Sequence, residues 1–96
     1  MIKPTVGRVV LYRPYPTDNM AGAQEKEPLA AIVTRVWSDT CVNLCVFDAN
    51  GVTSSRTSVL LHQEENDRPA HGFCEWMPYQ KQVASGAIPP TLHATA

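Results

Sequence analysis

Apolar residues along this chain fall in short, β-branched runs broken by turn residues, and no long stretch repeats at helical spacing. That pattern predicts an all-β domain. A first strand is expected over Val6–Arg13 (VGRVVLYR), stopped by Pro14 and Pro16, which lack the amide hydrogen a ladder needs. Thr17 to Glu27 are mostly polar or small and read as a long loop.

The second run opens at Pro28. Strict alternation through PLAAIVTRVW puts Ala30, Ile32, Thr34 and Val36 on one face and Ala31, Val33, Arg35 and Trp37 on the other. Ser38, Asp39 and Thr40 supply a tight turn into CVNLCVFD, where Val42, Leu44 and Val46 oppose Cys41, Asn43, Cys45 and Phe47. Asn50-Gly51 then signals a hairpin.

Two registers compete for that hairpin. A two-residue turn sets Val42 against Val59, Asn43 against Ser58, Leu44 against Thr57 and Cys45 against Arg56. This arrangement keeps like with like and is the preferred one. A three-residue loop with Gly51 at a bulge sets Leu44 against Arg56 instead.

Gln63 to Gly72 read as a solvated loop, FCEWM as a short fifth strand ended by Pro78, and Tyr79 to Ser85 have room for a turn of helix. The expected architecture is a small five-stranded barrel of the SH3-like or a related kind. It occupies residues 1–80, with 81–96 as a mobile or partner-held tail.

Composition narrows the function classes. A chain of 96 residues supports one core, and 44% hydrophobic with 18% charged residues is ordinary globular usage. Eight Lys and Arg against nine Asp and Glu give a net charge of −1, which argues against duplex nucleic acid and anionic membranes as partners. With neither a secretory signal pattern nor a bilayer-spanning apolar run, the chain is expected in the cytoplasm.

Reactive chemistry is sparse. Cys41, Cys45 and Cys74 are an odd set without CxxC spacing, which predicts buried thiols in a reducing compartment. Cys41 and Cys45, four residues apart on a strand, lie roughly 13 Å apart, too far to share one zinc. No metal or other cofactor is expected. The glycines form no phosphate cradle and no nucleophile elbow is present. His62, His71 and His93 stand at a strand end, in a loop and in the tail, so no catalytic residues are assigned. A hydrolase of unfamiliar type would draw on Asp39, His62 or His71.

The more informative feature is that both faces of the central strands carry apolar groups. The second face is expected to combine Val33, Trp37, Cys45, Phe47 and Leu60 with Arg35, Asn43, Arg56 and Ser58. A small barrel has one interior, so loops, the C-terminal segment or a second copy must cover this face, and a homo-oligomer is expected. Arg35, Trp37, Asn43, Arg56 and Ser58 are the candidate ligand-binding residues, with guanidinium groups for phosphate and an indole for base stacking. Tyr12, Tyr15, Glu75, Trp76 and Tyr79 form a second set suited to a core edge or a pocket wall.

The segments PLAAIVTRVWSDTCVNLCVFDANG, RTSVLL and CEWMPYQ, behind an initial PTVGRVV, resemble a family of short uncharacterised proteins encoded in tailed-phage genomes. The likeness spans roughly Lys3 to Tyr79 and implies a phage or prophage origin, without catalytic or binding residues to carry over. By analogy of lifestyle with phage anti-CBASS and anti-Thoeris sponges, it implies a non-enzymatic module that sequesters a small phosphorylated signal, a cyclic nucleotide or an ADP-ribose derivative, in the host cytoplasm. The alternative is a protein–protein interaction module, either an inhibitor of a host protein or a minor virion component.

Overall fold

In the computed structural model, which describes residues 1–24, 26–64 and 67–86, five strands close into a barrel and a short helix follows. The strands are β1 (Val9–Arg13), β2 (Leu29–Ser38), β3 (Cys41–Phe47), β4 (Thr53–His62) and β5 (Phe73–Glu75), and the helix is α1 (Pro78–Ala84). The all-β barrel and the C-terminal helix are as expected. The helix includes residues 81–84, so α1 crosses the boundary drawn at residue 80. The remaining tail from residue 87 lies outside the described residues.

β1 to β4 pair as successive antiparallel neighbours, and β5 closes the barrel, antiparallel to β1 and parallel to β4. A parallel neighbour cannot follow from a tight turn, so the solvated stretch after β4 serves as the crossover. The interior is filled by Val10 and Tyr12 of β1, Ala31 and Val33 of β2, Val42, Leu44 and Val46 of β3, Val59 and Leu61 of β4, and Cys74 with Trp76. Met20 and Ala23, from the β1–β2 loop, plug one end.

Three expectations are corrected by local geometry. β1 starts at Val9, because Gly7 takes a φ of 94° and the Arg8 amide turns back onto the Thr5 carbonyl. β2 does not alternate strictly. Its register against β3 shifts between Val33 and Arg35 and again between Val36 and Ser38, so Thr34 and Trp37 are extra residues. The first shift turns Val36 inward to face Val42, while Val33 remains wholly buried on the inner side. Val33 and Trp37 therefore do not share a face.

The hairpin resolves its competition by using both registers. Around the turn Gly51, at φ 83°, closes a three-residue loop inside the Asp48–Val52 pair, and Leu44 faces Arg56. Both the Asn50 and Val52 amides donate to Asp48 Oδ1, which explains why this loop defeats the two-residue turn. Between Val42 and Leu44 the register slips by one, and Val42 then faces Val59 as the preferred arrangement requires. The slip is taken up at Ser58, a non-glycine residue at φ 52° whose amide donates to Asn43 Oδ1 at 2.8 Å.

That backbone conformation is unfavourable for an L side chain, and no side-chain hydrogen bond of Ser58 offsets it among the described residues. Ser58→Gly is expected to stabilise the fold by about 1 kcal/mol, read as a higher urea midpoint at unchanged slope. A lower midpoint would contradict this account of the bulge.

Candidate functional site

The two bulges of β2 place Arg35 and Trp37 on the outer surface of the sheet, beside Asn43 of β3. Trp37 Nε1 donates to Asn43 Oδ1 at 2.9 Å, and the Arg35 guanidinium lies 4.2 Å from the centre of the indole. Asn43 Oδ1 thus accepts two hydrogen bonds, from the Trp37 indole and the Ser58 amide, and ties three strands at one point. The indole is oriented by this bond and by the cation–π contact, yet remains 54% exposed.

Four of the five expected ligand-binding residues, Arg35, Trp37, Asn43 and Ser58, are therefore neighbours. Arg56 is not among them. As the partner of Leu44 it lies on the inner side of β4, beside the Tyr12 hydroxyl, with Nη1 donating to the Ser55 carbonyl and the Ser54 hydroxyl. The same three-residue turn that put Leu44 opposite Arg56 removed Arg56 from the outer cluster. Cys45, Phe47 and Leu60 stay on the outer side, partly buried.

The outer side of the closing seam forms a second polar centre. Phe73 and Glu75 of β5 point away from the core but are buried, Glu75 to 7% exposure. Arg13 Nε and Arg68 Nη2 both reach Glu75 Oε2, at 3.0 and 2.9 Å, and Lys81 Nζ stands 3.8 Å from Oε1. Arg68 also lies over the Phe73 ring. Burial pushes the Glu75 carboxyl up, but hydrogen bonds from Arg68 and Arg13, with their charges, outweigh it and hold its pKa below the ordinary carboxylate value.

Gln63, just after β4, ties together Ile2, the β2–β3 turn and Trp76. Its side chain exchanges hydrogen bonds with both backbone groups of Ile2, donates to the Asp39 carbonyl and accepts from Trp76 Nε1. α1 is seated by Gln80, whose amide bonds the Val9 carbonyl and whose oxygen takes the Met77 amide at the helix start.

Neither Gln63 nor the cations around Glu75 were singled out from sequence. A signal existed for Glu75, since an acid between Cys74 and Trp76 in an apolar run must find cations if buried.

Burial pushes the Cys74 thiol up to about 12, which keeps it protonated. Asp39 sits in an exposed turn and His71 packs near the Tyr15 ring. No hydrogen bond joins Asp39, His62 and His71 to one another among the described residues. Tyr12 belongs to the core, and burial together with Asp18 raises its pKa.

Among the described residues no cluster of His, Cys, Asp or Glu has the geometry to hold a metal ion, and no helix is long and apolar enough to cross a membrane. No protein-family model, curated protein or solved structure matches the chain.

Proposed function

We propose that this protein is a phage-encoded, non-enzymatic binding module that captures a small phosphorylated ligand with a planar ring, of the cyclic-nucleotide or ADP-ribose kind, and so sequesters a host immune signal in the bacterial cytoplasm. One observation carries the reading: a half-exposed indole, Trp37, is held in place by Asn43 and flanked by the Arg35 guanidinium on a rigid sheet. Such an indole offers a base a stacking surface without ordering cost, and the guanidinium offers a phosphate two parallel donors. The same outer face is suited to a second copy of the chain, whose approach would enclose the ligand.

Calorimetric titration with a cyclic dinucleotide and with ADP-ribose tests the reading. Binding by one of them is expected, weakened roughly tenfold or more by Trp37→Ala, since a stacked base contributes about 1–3 kcal/mol. Failure of both ligands to bind at millimolar concentration, or equal binding by Trp37→Ala, would rule it out.

The alternative, contact with another protein, is favoured by a different detail: the indole N–H is already consumed by Asn43, leaving Trp37 and Arg35 as flat contact surface of the type that anchors protein interfaces. Capture of a host or virion protein that Trp37→Ala abolishes, with no nucleotide bound, would establish that reading.

A further inference from the structure

A cleft of about 400 Å³ lies away from the Trp37 cluster, between the first residues of the chain, the end of β4 and α1. Its lining combines apolar side chains, Met1, Ile2 and Trp76, with polar ones that include His62, Glu64 and Lys81. The volume falls within the roughly 300–1,000 Å³ of small-ligand sites, and a lining that joins apolar side chains with a few polar groups is typical of them.

Two polar groups in this cleft lack a full set of partners. His62 Nδ1 is buried with no hydrogen-bond partner among the described residues, which costs free energy unless something bonds to it. Lys81 is the second. Glu75 already accepts from Arg13 and Arg68 on the same oxygen, so one carboxylate faces three cations, and the Lys81 ammonium is held only at 3.8 Å. Three cations around one carboxylate leave two positive charges unbalanced, and Lys81 is the cation beyond hydrogen-bond distance of it. Glu64 is exposed and forms no ion pair with Lys81 among the described residues.

We propose that this cleft binds a small amphiphilic anion, whose carboxylate or phosphate end meets Lys81 and whose apolar body lies against Ile2 and Trp76. The site is independent of the Trp37 face. An anion there offsets part of the positive charge that Glu75 leaves unbalanced.

Nuclear magnetic resonance separates the two sites, because the chain has two tryptophans, Trp37 and Trp76, each with its own indole N–H signal. Phenyl phosphate and benzoate are titrated into the full chain, with benzyl alcohol as the neutral comparison. Saturable movement of the Trp76 indole and His62 ring signals is expected with at least one anion, and the tighter one names the head group. Lys81→Met is expected to weaken binding about fivefold or more while the Trp37 signal stays in place. Lys81→Gln serves equally if methionine at that position disturbs the spectrum.

An unmoved Trp76 signal with both anions overturns the proposal. So does equal binding by benzyl alcohol, or by the Lys81 variants. Movement of the Trp37 signal alone also overturns it, and leaves the stacking site standing.

Discussion

Replacing Gln63 by leucine is expected to lower the stability of this domain by about 3 kcal/mol, the largest single effect foreseen for a polar residue here. Gln63 is 3% exposed, and its side chain bonds Ile2 N, Ile2 O, Asp39 O and Trp76 Nε1 among the described residues. Leucine fits the volume but satisfies none of them. The Trp76 N–H is then left buried without an acceptor, at about 1–3 kcal/mol, and the Ile2 and Asp39 groups add the rest to the extent that water cannot reach them.

Since Gln63 clasps the first residues against the β2–β3 turn, the N-terminal segment should also loosen. Equilibrium urea unfolding measures the stability change, and amide exchange at Ile2 reports the loosening. A loss below about 1 kcal/mol would mean that the clasp is solvated and contributes little.

Glu75→Gln is the second large effect, expected to cost about 2 kcal/mol at neutral pH. Amide oxygen replaces a carboxylate that accepts two charge-assisted hydrogen bonds, and three cations lose their common counter-charge. The cost stays below that of an isolated buried pair because Arg68 and Lys81 remain partly exposed and can turn to water.

The pH dependence follows from the lowered folded-state pKa of Glu75. A carboxylate more acidic in the folded than in the unfolded state stabilises the fold fully above its unfolded pKa, near 4.5, and loses that contribution as pH falls through the lower folded value. The wild-type protein should therefore lose stability below about pH 4.5 faster than Glu75→Gln, and the gap between them should narrow on acidification. A constant gap from pH 7 to pH 3 would show that the carboxylate charge is not the cause.

Much of the barrel is legible along the chain because strand burial has a period of two and turns have strong chemical signatures. Val42, Leu44 and Val46 are apolar at alternate positions and all three are buried. Pro14, Ser38-Asp39-Thr40, Asn50-Gly51 and Pro78 punctuate the runs close to where the elements end. What alternation cannot carry is phase across a bulge, since one inserted residue costs little locally yet exchanges inner and outer faces for the rest of a strand. That is why Val33, expected on the outer face with Trp37, lies inside, and why Arg56 left the cluster it was expected to join.

The outer cluster shows the same division. Arg35, Trp37, Asn43 and Ser58 were brought together by their expected register, and their proximity survives because the slip at Ser58 restores that register beyond it. The Glu75 centre draws Arg13, Arg68 and Lys81 from β1, the crossover loop and α1, segments up to 68 residues apart whose meeting depends on barrel closure. No short-range pattern encodes such a meeting.

The sequence by itself determined that this is a small all-β domain with one core, and where its turns fall, because hydrophobic period, proline and glycine act over a few residues. Only the tertiary structure decided which side chains face outward, how β5 closes the barrel beside β4, and that Gln63 and Glu75 become buried hubs. Those outcomes depend on bulges and on long-range packing, whose free energies are settled between segments and not within them.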